Sequence, residues 1–255
     1  NDDYLIYEFA YEKGCYVLGS AEGSGGAIKM LLEAYYQGYV PDLMTNTTYK
    51  TAITNTLNWF VNSQFSDGNI PTYSTEFDIC ANVYGNDSDA RVQWCHGAPG
   101  FISTFTLAGI VYDSIGETNL AMNYINAGLK AFNSTWERGL LIKGTMMCHG
   151  IGGNTFTLLH INEYMKILLA KGSNQIKNTY NLQYLINQSQ YRAINFVRFT
   201  LNATNLNALR TKYSNEDYSA WLGSYGIPFL YSQTLLPGWP GSVSTCMPAW
   251  DFCGL

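Results

Sequence analysis

The chain has 255 residues, of which 47% are hydrophobic and 13% charged, and its net charge is −5. This composition is typical of a globular protein with a sizeable core, and it argues against a nucleic-acid-binding protein, which would carry clustered lysine and arginine. No stretch reaches the roughly 18 consecutive apolar residues that a membrane-spanning helix needs. The first residue, Asn1, is not methionine, so we expect the sequence to begin inside a longer protein.

A glycine motif of the form G-x-x-G recurs along the chain, and each copy opens a helical pattern. The four copies lie at residues 23–26, 97–100, 150–153 and 223–226. The segments that follow are rich in small and apolar residues, which predicts helices buried on most sides. Repeats at this spacing leave room for two helices and their loops.

The stretches between the motifs predict a second set of helices. Apolar residues recur at helical spacing over 51–65, 119–132 and 190–201, and polar residues indicate one solvated face. Strand patterns are weak, and the polar segment 64–90 is interpreted as a long ordered loop. A glycine turn, an inner helix and an outer helix therefore form a repeating unit, and such units build helical solenoids or closed toroids.

Two of the glycine motifs carry a Cys-His pair directly before the first glycine. These pairs are Cys95-His96 and Cys148-His149. Zinc binds cysteine sulfur and histidine nitrogen, and a catalytic site keeps three protein ligands and one open position. Both cysteines with His149 supply such a set, and His96 is the competing choice. A disulfide between the cysteines, or two small buried residues beside helix turns, are the alternatives; His160 is interpreted as a core or surface histidine.

The paired motif resembles the eukaryotic LanC-like proteins, which are relatives of bacterial lanthionine cyclases. The resemblance rests on residues 94–100 and 148–154, and further similarity covers 65–71 and 248–252. It implies an α/α toroid of seven inner and seven outer helices, of which about four repeats lie here. We expect a single domain over residues 1–255 that is incomplete at its N-terminus. The resemblance also implies a cytoplasmic protein, with peripheral association at the plasma membrane left open.

The resemblance further implies roles for individual residues. The family's zinc ligands correspond to Cys95, Cys148 and His149. His96 follows the first ligand and is a candidate proton donor. Arg91 resembles the active-site arginine of bacterial cyclases, although a surface arginine fits the sequence equally well.

One position departs from the family pattern. The family's earlier motif has a histidine that performs acid–base work, and Glu22 stands there in this chain. A carboxylic acid can exchange protons if burial raises its pKa. A glutamate that only benefits from the positive end of a helix dipole is the alternative interpretation.

The implied chemistry is the addition of a thiol to dehydroalanine or dehydrobutyrine in a peptide, with zinc activating the thiol. The thiol belongs to glutathione or to a peptide cysteine. A non-catalytic adaptor that binds zinc and glutathione is the rival hypothesis, because Glu22 replaces the histidine.

An α/α-toroid glycosidase is a third hypothesis for the function of the chain. Such an enzyme needs paired carboxylates, which Asp67, Glu76 and Asp78 could supply, but it leaves the Cys-His pairs without a role. No role is assigned to the four remaining cysteines, which are Cys15, Cys80, Cys246 and Cys253.

Overall fold

The computed structural model describes residues 4–6, 16–74 and 91–210. Within these ranges the regular structure is helical, apart from one isolated antiparallel bridge between Val17 and Tyr73. The helices are α1 (Ser24–Tyr36), α2 (Thr47–Ser63), α3 (Ala98–Ser114), α4 (Thr118–Arg138), α5 (Ile151–Lys171), α6 (Asn174–Thr179), α7 (Leu182–Leu201) and α8 (Ala203–Arg210), with a 3-10 turn at Pro41–Leu43. The predicted all-α class is therefore confirmed.

The glycine motifs begin the three inner helices, as the sequence predicted. Gly23, Gly97 and Gly150 are the N-cap residues of α1, α3 and α5, and none of them offers a side-chain cap. The last glycine of each motif lies against the backbone carbonyl six residues before it. A Cβ would stand 2.1 Å from the Ser20 oxygen at Gly26, 2.3 Å from the Trp94 oxygen at Gly100 and 1.9 Å from the Met147 oxygen at Gly153. A side chain at these positions would displace the segment that leads into the helix.

The helices pack as inner–outer hairpins, which is the arrangement expected of an α/α toroid. The inner helices stand side by side, α1 against α3 and α3 against α5, while α4 packs on α3 and α7 packs on α5. Every residue of α3 from Ala98 to Tyr112 is buried. The outer helix α4 buries only one face, as an amphipathic helix does. Closure of the hairpins into a ring stays a prediction.

Aromatic contacts fix the beginning of α3 within the core. The ring of Phe101 lies 5.1 Å from that of Phe60 on α2 and 5.4 Å from that of Phe105, measured between centroids. All three side chains are fully buried. Edge-to-face and tilted pairs at such distances add to the burial of apolar area. The first turn of α3, which follows Cys95, is therefore held rigidly.

The predicted outer helices exist, but their ends differ from the prediction. The segments 51–65, 119–132 and 190–201 correspond to α2, α4 and α7, which begin earlier or end later. The side chains of Asn46 and Asn181 cap the N-termini of α2 and α7 by accepting backbone N–H groups.

The fourth glycine motif, residues 75–90 of the predicted loop and the matching segment 248–252 lie outside the described residues. Among the helices of the described ranges, none is long and apolar enough to cross a membrane.

Candidate metal centre

The two Cys-His pairs meet at the ends of neighbouring inner helices. The Sγ atoms of Cys95 and Cys148 and a ring nitrogen of His149 all lie within 4.8 Å of one another. The backbone N–H of Cys95 donates to the carbonyl oxygen of Cys148 over 3.1 Å, so the two turns are joined directly. The expected convergence of the two cysteines is present in the structure. Their role as metal ligands stays a prediction.

The donor set fits a tetrahedral zinc ion. Zinc–sulfur bonds of about 2.3 Å and zinc–nitrogen bonds of about 2.0 Å place tetrahedral ligands some 3.5–3.8 Å apart, which small side-chain movements of this group would reach. Cys95 is buried, whereas Cys148 and His149 are half-buried. One side of the group therefore faces solvent, as an open coordination position requires. Both cysteines are free, so the structure does not contain the alternative disulfide.

The two thiols differ in acidity because they share a hydrogen bond. Cys95 donates to Cys148, which raises the pKa of Cys95 and lowers that of Cys148. Burial adds to the rise at Cys95, and His149 adds to the fall at Cys148. Cysteine binds a metal as thiolate, so a divalent cation bound to both sulfurs would replace the proton that they share.

His96 occupies a different place from His149. Its Nε2 lies 3.4 Å from a carboxylate oxygen of Glu22, and its Nδ1 has no hydrogen-bond partner among the described residues. Burial, followed by the positive charges of Arg91 and Lys143, lowers the pKa of His96 to about 4. The imidazole is therefore neutral near pH 7, and the contact with Glu22 is not an ion pair.

Glu22 faces the cluster from the turn before α1. Its position directly before Gly23 corresponds to that of His96 before Gly97 and of His149 before Gly150. The side chain is half exposed, and its pKa is raised, first by burial and next by the neighbouring Cys148. Glu22 stands directly before the N-cap residue of α1, so the interpretation that it benefits from the helix dipole stays open.

Arg91 lies on the same side of the cluster. Its positive charge lowers the pKa values of Glu22 and His96. The guanidinium carbon stands 5.9 Å from the centre of the Tyr73 ring, a cation–π contact that fixes its direction. The structure thus brings Arg91, Glu22 and His96 together beside the metal-ligand candidates, although their catalytic roles stay predictions.

Three polar residues around the cluster were missed from the sequence. Gln93 donates its amide N–H to the sulfur of Cys95 over 3.1 Å, and Lys143 donates to the Gln93 amide oxygen over 2.7 Å. Asn69 is fully buried; it accepts from the N–H of Ala98 and donates to the carbonyl of Arg91. Gln93 stands two residues before Cys95. A polar side chain so close to a candidate ligand could have been recognised from the sequence as a possible contact of the sulfur.

Two other residues considered from the sequence have structural roles. His160 is buried on α5, and its Nδ1 lies 2.5 Å from the hydroxyl of Ser103 on α3, as the interpretation of a core histidine expects. Asp67 lies in an exposed turn and pairs with Arg138. Glu76 and Asp78, the other carboxylates of the glycosidase hypothesis, lie outside the described residues.

Helical hairpins whose glycine turns gather two cysteines and a histidine define an all-α protein with a metal-type site. The profile of the family described as lanthionine synthetase C-like protein matches residues 4–237. The chain belongs to this family.

Two relatives illustrate the similarity. The Danio rerio protein named glutathione S-transferase LANCL1 is 30% identical over 156 residues, which are 61% of this chain and 32% of that protein. The Arabidopsis thaliana LanC-like protein GCL1 is 27% identical over 158 residues, which are 62% of this chain and 30% of that protein. The chain therefore matches about a third of the length of each of these relatives.

Proposed function

We propose that this protein binds one zinc ion through Cys95, Cys148 and His149 and uses it to join a thiol to a dehydroamino acid in a peptide. The observation that carries the proposal is the convergence of two sulfurs and one imidazole within 4.8 Å at the mouth of two inner helices. Zinc prefers this ligand set, and the half-buried side of the cluster leaves room for a fourth ligand.

Zinc at this position would lower the pKa of a coordinated thiol and so supply a thiolate near neutral pH. The chain's own part is to hold the donor atoms in an apolar pocket. The sulfurs belong to a buried cluster with Trp94, Met147 and Phe156, which strengthens the electrostatic interactions there. Water is excluded from the Cys95 side, so an incoming thiol approaches from the side of Cys148 and His149.

Glutathione is the thiol that we propose first, with a peptide cysteine as the other substrate of the same chemistry. The name of the Danio rerio relative supports a glutathione-dependent transfer. Arg91 supports it independently, because a guanidinium beside the cluster attracts the carboxylates of glutathione.

The addition is completed only when one proton is delivered to the α-carbon of the dehydroamino acid. The thiol releases its proton to solvent, sulfur forms a bond to the β-carbon of dehydroalanine, and the electron pair of the double bond moves to the α-carbon side. A proton then adds at the α-carbon, so the product is a thioether and no group leaves. Glu22 is the better donor, because burial raises the pKa of its carboxyl group, whereas neutral His96 is a very weak acid. His96 orients the carboxyl group, and half-exposed Glu22 recovers its proton from water.

A non-catalytic protein that binds zinc and glutathione is the second candidate function. The observation that favours it is Glu22 itself, a carboxyl group at the position where the family carries histidine. Both functions share the metal site and differ in whether the proton is delivered.

Mass spectrometry separates these candidates. The purified protein is incubated with glutathione and a peptide whose phosphoserine has been converted to dehydroalanine. We expect one equivalent of zinc and a glutathione adduct, with the adduct rate about 10²- to 10⁴-fold lower in Glu22→Gln. Glu137→Gln removes an exposed carboxylate on α4 and serves as the matched control. Zinc without adduct would establish the non-catalytic function, and a protein without zinc would contradict both.

A further inference from the structure

A chain of two hydrogen bonds connects a surface lysine to one of the sulfur atoms. Lys143 donates from Nζ to the amide oxygen of Gln93, and the amide nitrogen of Gln93 donates to the Sγ of Cys95. Gln93 is 6% exposed and Cys95 is 3% exposed, so water does not compete for the hydrogen bond between them. Lys143 is half-buried and reaches solvent.

The order of the atoms in this chain is set by chemistry. An ammonium group only donates hydrogen bonds, so Lys143 holds the carbonyl oxygen of the amide and leaves the NH2 group directed at the sulfur. An N–H group that donates to sulfur withdraws electron density from it and favours the thiolate form that binds a metal. Lys143 therefore fixes which end of the Gln93 amide the sulfur meets.

The side chain of Gln93 is not needed for the local backbone. The N–H of Gln93 donates to the carbonyl of His96 over 3.0 Å, and the N–H of His96 donates to the carbonyl of Gln93 over 3.1 Å. The turn that carries Cys95 is thus closed by these backbone bonds and supported by Asn69, without the side chain of Gln93. A substitution at position 93 changes what the sulfur contacts and leaves the turn in place.

We propose that Gln93 and Lys143 are positioning residues that hold the sulfur of Cys95 in its ligand orientation and draw electron density from it. The inference rests on the proposed metal site. A thiolate that shares density with an N–H group gives less of it to the metal, which leaves the metal a stronger Lewis acid towards the incoming thiol. Hydrogen-bonded groups behind metal ligands commonly change metal affinity or activity by ~10–100-fold when removed.

Cobalt substitution tests this directly, because the sulfur-to-cobalt charge-transfer band reports the electron density on sulfur. The metal-free protein is titrated with Co²⁺, and zinc affinity is measured by competition with a chromogenic chelator. In Gln93→Leu and Lys143→Met we expect the band to move to lower energy, because the sulfur regains electron density. We expect zinc affinity to fall by ~10-fold or more, because the sulfur is no longer held in its ligand orientation. Lys143→Arg keeps a donor and restores both values. Lys171→Met removes an exposed lysine at the end of α5 and serves as the control.

The cobalt spectra separate a failure of this inference from a failure of the proposed metal site. A wild-type protein without a sulfur-to-cobalt band would overturn the metal site and this inference together. A wild-type band that is unchanged in both Gln93→Leu and Lys143→Met would overturn only the positioning role. Lys143→Met changes a half-buried surface residue, so its spectrum decides the matter even if Gln93→Leu proves unstable.

Discussion

The two Cys-His-Gly turns have the same three residues and different structures. In the first turn Gly97 has φ of +107°, whereas Gly150 in the second has φ of −109°. Cys95 is buried and His96 lies against Glu22, while Cys148 is half-buried and His149 joins the two sulfurs. A duplicated motif therefore provides two imidazoles with different environments, and the backbone conformation of the following glycine also differs between the copies.

Substitution of the two histidines is expected to produce the largest difference between the two turns, measured as zinc affinity. His149→Asn removes a ligand of the proposed site and should lower zinc affinity more than ~100-fold, beyond the effect of removing a group behind a ligand. His96→Asn should retain one equivalent of zinc. Metal content after dialysis measures both, and His160→Asn, which changes the third histidine of the chain, is the control. Loss of zinc in His96→Asn with retention in His149→Asn would reverse the assignment.

Alanine at the two glycines tests the difference in backbone conformation. Gly97→Ala should lower the free energy of unfolding by about 3 kcal/mol, because φ is positive and the new Cβ would lie 2.0 Å from the Arg91 carbonyl oxygen. Gly150→Ala should have a smaller effect, since its φ suits any residue and its nearest contact is 2.6 Å. Chemical denaturation of both variants measures the difference. Equal effects would show that crowding, and not φ, decides the glycine requirement.

The side chain of Asn69 bonds to the backbone on both sides of the first turn, so its removal should act on that turn. Asn69→Ala leaves the Arg91 carbonyl and the Ala98 N–H without their buried partner, and we expect a loss of about 2 kcal/mol in stability. Urea denaturation measures this effect. Asn123→Ala removes an exposed asparagine on α4 as a control and should have little effect. A similar loss in both variants would contradict the supporting role of Asn69.

The smallest effect is expected at Asp67, which stands outside both turns. Asp67→Asn removes the surface ion pair with Arg138 but keeps an oxygen that accepts the N–H of Asn69. We expect a change below about 1 kcal/mol in stability and no change in zinc content. Thermal unfolding and metal analysis measure these values. A loss of zinc would place Asp67 within the functional site.

The helices and the meeting of the cysteines were predictable because they depend on local patterns. The glycine motifs predicted where α1, α3 and α5 begin, and apolar periodicity predicted α2, α4 and α7. The beginning of α7 was placed at Gln190 although the helix begins at Leu182, directly after its cap at Asn181. Leu182 and Ile186 are buried at helical spacing, so the sequence did carry a signal for this earlier start.

The choice between His96 and His149 was not decided by sequence, because both follow a cysteine and precede a glycine. The sign of φ at Gly97 depends on the fold around Arg91 and Asn69, which lie far apart in the chain. The contacts of Gln93 and Lys143 are likewise long-range, since Lys143 lies fifty residues after Gln93. Such pairings follow from tertiary packing and carry no local signature.

The backbone hydrogen bond between Cys95 and Cys148 joins two hairpins that are also linked by helix packing and by side-chain hydrogen bonds such as that of Lys143 to Gln93. A cation bound to both sulfurs would add a further link between these two segments, which are distant in the chain. The free energy of unfolding would then rise with the free concentration of the ion, by about 2.7 kcal/mol when that concentration is a hundred times the dissociation constant. The supply of zinc would in that way change the fraction of the protein that is folded.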